Sequence, residues 1–253
     1  MSLTNLTVSS FIDEVAAGSP TPGGGSVSAL AAALAAALVS MVGSLTLRKL
    51  SAGGRAQTPT SAHESGATPP VESALVKARP VTPPESSHEG EASRRPADVE
   101  ADMTMVVEIA GGLRRHFERL VDEDAAAFEA VMAAYRLPKS SDEEKRSRSA
   151  AIQDALKEAC RVPSQVAKGA VEVMRLADLA VREGAQSALS DAAVACLAAD
   201  AALHGAYLNV LINLGSIKDQ AFVSAMREEM AKALKSAEII RDEVMARVRE
   251  TLE

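Results

Sequence analysis

The uncharged, alanine-rich segment from Val27 to Leu47 is the feature that most constrains the fold of this chain. Its larger apolar residues recur at helical spacing, so we expect them to form one face of a helix. These residues are Val27, Leu30, Leu34, Leu38, Met41 and Leu45. At about 20 residues the segment is long enough to cross a bilayer. We favour a buried helix in a soluble protein, because alanine is only weakly apolar, no aromatic belt flanks the segment and no second such span is expected.

Composition favours close-packed helices over a sheet. Apolar residues make up 47% of the 253 residues, yet aromatic residues make up only 2% and tryptophan is absent, so a core must be built from aliphatic side chains. No stretch alternates apolar and polar residues as a strand does. We therefore predict an all-α fold, a helical bundle of long antiparallel helices. The spacing predicts helices over 7–17, 27–47, 98–135, 141–160, 163–183, 190–214 and 219–252, with Ser9 or Ser10, Ser26 and Ser190 as N-caps.

Residues 51–96 differ in composition from the rest of the chain. They hold seven of its eleven prolines and only four large aliphatic residues. A segment of this kind buries too little apolar surface to offset its ordering entropy, so we expect a disordered, low-complexity insertion. The chain is then a single helical domain over 1–253 that the insertion interrupts.

Charge and cysteine usage limit the classes of partner. The net charge is −7, with Lys and Arg scattered, which argues against a nucleic-acid surface and fits a soluble protein with a small ligand. The N-terminal residues show no signal-type apolar run, so we expect a cytoplasmic protein with no membrane partner. Cys160 and Cys196 match no metal-ligand spacing, and we expect reduced core thiols and no metal.

A glycine-rich loop precedes the alanine-rich helix. Pro20 and Pro22 favour an extended approach, and Gly23, Gly24 and Gly25 let a ligand reach the main chain. The first turn of a helix has unpaired N–H groups and a partial positive charge, which suits an anionic or carbonyl-rich ligand. A rigid turn into a core helix is the alternative interpretation.

Four further sets of polar residues are candidates for a site. Asp124 lies four residues before Phe128 and shares its helix face, which predicts partial burial and a raised pKa; a solvated acidic face is the alternative. Amide pairs four residues apart, such as Asn209 and Asn213, either contact a ligand or bond to neighbouring helices, and we favour the latter for Asn213. Lys139 is a further candidate, with an ordinary surface lysine as the alternative interpretation. Ser190 and Asp191 are the last candidates, with a simple helix cap as the alternative.

Several of these segments resemble one family. They are Pro20–Ser26, Asp122–Phe128, Arg136–Lys139, Ala155–Ala159 with Val162–Pro163, Ser190–Asp191 and Asn209–Asn213. In this order they resemble the cyclodeaminase/cyclohydrolase family of folate enzymes, and they cover nearly all of the chain outside the insertion. The resemblance implies an all-helical subunit that forms a homodimer with folate bound near the subunit interface.

The resemblance also implies the reaction and the roles of the residues. We expect hydrolysis of 5,10-methenyltetrahydrofolate to 10-formyltetrahydrofolate, with formiminotetrahydrofolate cyclodeamination or an impaired folate-binding protein as alternatives. Asp191 and Asp124 are the expected catalytic carboxylates. No cofactor is expected beyond the tetrahydrofolate substrate. The expected substrate-binding residues are Pro22, Gly23, Gly24, Gly25, Ser26, Lys139, Ser190, Asn209 and Asn213.

Overall fold

The computed structural model describes residues 2–54 and 94–253, and within them the chain forms six α-helices and no strand. The predicted bundle of long antiparallel helices is confirmed. The helices are α1 (Val8–Ala16), α2 (Gly24–Gly54), α3 (Pro96–Arg136), α4 (Asp142–Glu183), α5 (Leu189–Leu214) and α6 (Gln220–Leu252), with short 3₁₀ turns at Leu3–Asn5 and Gln186–Ala188. Within the predicted insertion, residues 51–54 continue α2 and Pro96 begins α3, while residues 55–93 lie outside the described residues.

Helix α2 packs between α3 and α5 and runs antiparallel to both. Gly43 near its C-terminal end lies against Met103 at the start of α3, whereas Ser26 at the other end hydrogen-bonds to Val121 further along α3. Helix α4 returns beside α3 and α5, and α6 covers the outside of α4 and α5. The N-terminal end of α2 therefore faces the same end of the bundle as the C-terminal ends of α3 and α5.

The large apolar residues predicted to share one face of α2 are not its most buried residues: Leu30, Leu38 and Leu45 are partly buried against the core, whereas Val27, Leu34 and Met41 are exposed. Leu34 is 63% exposed, and the small residues on the other side are buried instead. The close approach of α3 explains why small residues are buried on this side. A Cβ on Gly43 would lie 2.9 Å from Val107 Cγ2, so α3 packs nearer than leucine side chains would allow. The buried residues include Ala29, Ala32, Ala33, Ala36, Val39 and Val42.

Helix α5, which packs against α2, also carries exposed apolar residues, and together with those of α2 they are here called the α2–α5 stripe. Its members are Val27, Leu34 and Met41 on α2 and Val194, Leu197, Leu208 and Ile212 on α5. Both helices are long and apolar enough to cross a membrane by length and composition, so the expectation of only one such span was wrong. The helix α5 was predicted, but not as a possible span, because its mean hydropathy is lower, 1.4 against 2.1 for α2.

Pro163 lies inside α4, although the sequence predicts that a new helix begins there. A proline inside a helix leaves the carbonyl four residues earlier without its usual N–H donor. Here Asn213 on α5 supplies the donor, because its Nδ2 lies 3.0 Å from Ala159 O. The helix continues because a neighbouring helix replaces the missing hydrogen bond.

Replacing Asn213 by alanine is expected to destabilise the fold by about 1–3 kcal/mol, because the Ala159 carbonyl loses this donor. Denaturant unfolding would measure the change. In a Pro163→Ala background the restored backbone N–H reaches the same carbonyl, so the Asn213→Ala penalty should shrink. An equal penalty in both backgrounds would contradict this explanation.

Local capping explains where other helices begin. Ser141 and Glu144 form a reciprocal capping box at the start of α4, as the sequence predicts, and Asp219 caps α6. The predicted caps of α1, α2 and α5 were wrong, and at α2 the predicted cap Ser26 lies inside the first turn. Thr7 caps α1 in place of Ser9 or Ser10, since its side chain accepts from the Ser10 N–H. Ser190 lies inside the first turn of α5, which begins at Leu189 after the 3₁₀ turn.

Candidate functional site at the start of α2

The glycine-rich loop brings the chain directly into the first turn of α2. Gly23 O accepts the first helical hydrogen bond, from Val27 N at 3.0 Å, and Pro22 is buried beneath the turn. Ser26 was predicted to cap this helix, but it lies inside the first turn. Its hydroxyl hydrogen-bonds to α3 instead, 3.1 Å from Val121 O and 3.0 Å from Asp124 Oδ2.

Asp124 presents its carboxyl group to this helix start from α3. Both the hydroxyl and the backbone N–H of Ser26 donate to it. The side chain is half-buried, and burial raises the pKa of Asp124 above its ordinary value, although the two hydrogen bonds from Ser26 partly oppose that rise. The partial burial expected from the sequence is confirmed, and it accounts for the expected direction of the pKa shift.

Gly25 allows the carboxyl group to come so close. It is buried, and a Cβ at this position would clash with Asp124 Oδ1 and lie 2.4 Å or so from Cγ. Any side chain at position 25 therefore has to push Asp124 away from the helix start. The glycine is required here for close approach, since its φ is ordinary for a helix.

Asn209 on α5 forms the other side of the helix start. A Cβ on Gly24 would lie 3.3 Å from Asn209 Nδ2, which itself donates to Gly205 O at 2.8 Å. Gly205 in turn packs directly on the hydroxyl of Ser28. Ser28 and Gly205 were not predicted as part of the site, although small residues at matching positions of two alanine-rich helices are a signal for close helix contact.

The structure separates three predicted site residues from this cluster. Asp191 and Ser190 lie in the first turn of α5, 18 residues before Asn209, which corresponds to about 27 Å along the helix. Lys139 is exposed in the loop after α3, and about 18 Å of helix lie between Asp124 and Arg136. One subunit therefore brings together Pro22–Ser26, Asp124 and Asn209, with Asn213 one turn further, but not Asp191.

The cluster provides an acid–base group beside hydrogen-bond donors. A half-buried carboxylate with a raised pKa is a stronger base than an exposed aspartate. It is therefore better suited to take a proton from water near neutral pH. Ser26 fixes its orientation, and the partial positive charge of the helix start favours its ionised form. The Asn209 amide adds a group that can recognise polar ring edges.

Removing the Ser26 hydroxyl is expected to shift the acidic limb of the pH–rate profile to higher pH. The hydroxyl stabilises the ionised form of Asp124, so Ser26→Ala raises the pKa of that carboxyl further. Because a carboxyl group acts as a base only when ionised, a rate that depends on Asp124 as a base falls as pH drops through this pKa. Profiles of kcat/KM for both proteins would measure the shift, and an unchanged or more acidic limb would contradict the assignment.

The two cysteines lie in the core. Cys160 and Cys196 are buried and unpaired, and burial raises the pKa of these thiols to about 11 and about 12. The predicted core thiols are confirmed. Within residues 2–54 and 94–253, no group of three or more His, Cys, Asp or Glu could hold a metal ion.

Comparison with known proteins assigns the chain to a family. A family model described as formiminotransferase-cyclodeaminase matches residues 7–62 and 92–232. The chain belongs to this family, and the resemblance inferred from the motifs is confirmed. Residues 63–91, which lie within the predicted insertion, fall outside the match.

Individual relatives narrow the class further. A methenyltetrahydrofolate cyclohydrolase from Methylorubrum extorquens is 34% identical over 245 residues, 97% of each chain. The rat formimidoyltransferase-cyclodeaminase is 32% identical over 93% of this chain and 36% of its own length. The crystal structure of formiminotetrahydrofolate cyclodeaminase from Thermotoga maritima matches with a TM-score of 0.71 at 26% identity, covering 98% of both chains. These names agree with the predicted reaction and with its cyclodeaminase alternative.

Proposed function

We propose that this chain hydrolyses 5,10-methenyltetrahydrofolate to 10-formyltetrahydrofolate at the start of α2. The observation that carries the proposal is the half-buried Asp124 carboxyl, held on the first turn of α2 by Ser26 with a raised pKa. The full-length similarity to a methenyltetrahydrofolate cyclohydrolase supports the choice of reaction.

The reaction needs one proton acceptor near a cationic carbon. The carbon between N5 and N10 is amidinium-like and electrophilic. Asp124 removes a proton from water as the water oxygen bonds to this carbon, and the product of addition carries a hydroxyl group there. Cleavage of the bond from this carbon to N5 then leaves the formyl group on N10; the hydroxyl group loses its proton and N5 gains one, so this step involves no net proton change. The reaction consumes one water and releases one proton overall.

The residues around Asp124 have separate roles in this proposal. The carboxylate also stabilises the cationic carbon electrostatically before water adds. Asn209 and the backbone N–H groups of the first turn of α2 bind the polar edges of the pterin. Lys139, exposed beyond the end of α3, offers a positive charge to the glutamate carboxylates of the substrate. Asn213 serves primarily to donate to the Ala159 carbonyl of α4, which Pro163 leaves without a backbone donor.

Cyclodeamination is the second candidate, and the Thermotoga maritima structure favours it because of its similar fold over the whole chain. The same carbon reacts in both cases, but here a formimino group closes onto the second nitrogen and ammonia leaves. The cyclohydrolase proposal is preferred because the Methylorubrum extorquens relative combines the higher identity with coverage of nearly its whole length.

We further propose that the protein is a cytoplasmic homodimer in which the α2–α5 stripe is the subunit contact. Leu34, Leu208 and Ile212 are each more than 60% exposed, and their burial against a second copy stabilises the assembly at about 25 cal/mol per Å². Val27, Leu34 and Met41 recur every seven residues, the spacing that lets two helices pack along a common seam.

Two assays test the reaction. Purified protein should consume 5,10-methenyltetrahydrofolate faster than a blank, followed by absorbance in a buffer that does not itself speed hydrolysis. The matched assay supplies formiminotetrahydrofolate and measures ammonia. Turnover in the first assay only supports the cyclohydrolase; ammonia release without methenyl hydrolysis would replace it with the second candidate. Blank rates in both would overturn the proposal.

A further inference from the structure

We propose that Asp122 is a positioning residue for substrate binding, because its carboxylate holds the segment before α2 against α3, beside the proposed site. This segment, residues 2–23, is here called the N-terminal strap. The inference rests on the function proposed above and deepens it. Asp122 has no part in the proton transfer assigned to Asp124, so its effect belongs to binding.

Both oxygens of the Asp122 carboxylate accept hydrogen bonds from the first residues of the strap. Oδ1 accepts from the Leu3 N–H and Oδ2 accepts from the Ser2 hydroxyl, each at 2.6 Å. The 3₁₀ turn Leu3–Asn5 packs against α3 at this point, and Leu3 and Leu6 are partly buried against the core. Two short hydrogen bonds to one carboxylate, across 119 and 120 positions of sequence, define a fixed attachment of the strap to α3.

The other end of the strap is attached only two residues further along α3. The strap leads into the first turn of α2, where the hydroxyl and N–H of Ser26 donate to Asp124. Two residues of a helix differ by about 3 Å along its axis and by about 200° around it. Asp122 and Asp124 therefore leave α3 on different sides, and the strap has to pass around α3 from one to the other.

Exposure shows which side of α3 the strap crosses. Glu123 and Ala126 lie on one of the two sides between Asp122 and Asp124, and both are exposed. Val121 lies on the other side and is fully buried. The strap therefore crosses the side of Val121, whose carbonyl also accepts from Ser26, and so runs next to the start of α2.

The middle of the strap has few attachments of its own. Of the residues in α1, only Phe11 is buried. Gly18 after α1 has a φ of +75°, which favours glycine, and a Cβ there would meet no atom within 4 Å. Pro22 is the next buried residue. The position of α1 and of the loop that follows it therefore depends on the attachment at Asp122.

This attachment orders the glycine-rich loop before the substrate arrives. Pro22 and Gly23 at the end of the strap are expected substrate-binding residues. A loop that is already ordered costs the substrate less binding free energy than a loop that has to be ordered on binding. Loss of the attachment therefore raises KM. It leaves kcat close to the wild-type value, because Ser26 still holds Asp124 once the substrate is bound.

Substitution of Asp122 tests this separation of KM from kcat. Asp122→Ala should raise KM about tenfold, the size of one hydrogen bond to a charged group, with little change in kcat. Glu123→Ala is the matched control, since it removes the same charge from the neighbouring exposed position and should keep the wild-type KM. An unchanged KM in Asp122→Ala, or equal increases in both variants, would overturn the proposal.

The Ser2 hydroxyl provides a second test from the strap side. Ser2→Ala should raise KM less than Asp122→Ala does, because the hydrogen bond from the Leu3 N–H remains. Adding Ser2→Ala to Asp122→Ala should raise KM no further, since the shared contact is already lost. Independent, additive increases would overturn the assignment of the effect to this contact.

Hydrogen exchange tests the attachment without any turnover. Backbone amides of residues 3–17 should exchange faster in Asp122→Ala than in the wild-type and Glu123→Ala proteins. Equal exchange rates would overturn the attachment, and faster exchange with an unchanged KM would overturn the positioning role. A wild-type protein without turnover would reject the proposed reaction, whereas the exchange rates would still decide whether Asp122 holds the strap. Alanine favours a helix over aspartate, so α3 should stay folded in the variant, which the unfolding midpoint would check.

Discussion

Asp124→Asn is expected to lower kcat for 5,10-methenyltetrahydrofolate hydrolysis by about 100- to 10,000-fold, the usual range for losing a positioned general base. Asparagine keeps the size of the side chain and can still accept from Ser26 Oγ, now as a neutral amide. It cannot take a proton from water. Its KM should change less than kcat, because the lost interaction is made mainly in the transition state.

Glu123→Gln is the matched control for this prediction. It removes one negative charge from the neighbouring position, but Glu123 is exposed to solvent. Its kcat should stay close to the wild-type value. Equal losses in the two variants would indicate a general charge effect and contradict the assignment of Asp124 as the base. Circular dichroism and the unfolding midpoint would establish that both proteins remain folded.

Local sequence predicted the helices whose ends depend on local hydrogen bonds. Two helix starts depend on residues three positions apart or fewer, so the local sequence is enough to predict them. They are the capping box of Ser141 and Glu144 and the cap at Asp219. Pro163 was misread because the group that compensates for it, Asn213, lies 50 residues further along the chain. A proline signal is reliable only where no other helix supplies the missing donor.

The environment of the predicted apolar face of α2 could not be derived from spacing for a related reason. Amphipathic spacing predicts which residues share a face, but it does not say whether that face packs within the chain or against something else. In α2 the alanine face is internal because Gly43 and Gly205 allow α3 and α5 to approach closely. Val27, Leu34 and Met41 stay exposed and belong to the α2–α5 stripe.

The candidate site was only partly predictable. The glycine-rich loop and the burial of Asp124 follow from spacing, but the pairing of Ser26 with Asp124 links residues 98 positions apart and requires the fold. The distance between Asp124 and Asp191 also requires it, because two motifs in family order carry no information about their separation in space. Their separation shows that motif membership alone does not assign two residues to one site of one subunit.

Gly25→Ala is expected to reduce kcat/KM by about 100-fold or more while leaving helix propensity improved, which separates geometry from local stability. Alanine favours a helix over glycine by about 1 kcal/mol. However, its Cβ would occupy the space of the Asp124 carboxyl, so either that group or the start of α2 has to move. A displacement of about 1 Å at a catalytic group is enough for a loss of this size.

Two control experiments distinguish a steric clash with Asp124 from a general effect of adding a methyl group. Gly111→Ala in α3 is the control, since its Cβ would lie 3.6 Å from Arg115 Nη1, an ordinary contact, and it should keep wild-type turnover. In an Asp124→Ala background the carboxyl is gone, so adding Gly25→Ala should cost little further stability by denaturant unfolding. An equal stability cost with and without the carboxyl would mean that position 25 matters for some contact other than Asp124. Strong non-additivity between the two substitutions would instead establish that Gly25 exists to admit this carboxyl to the start of α2.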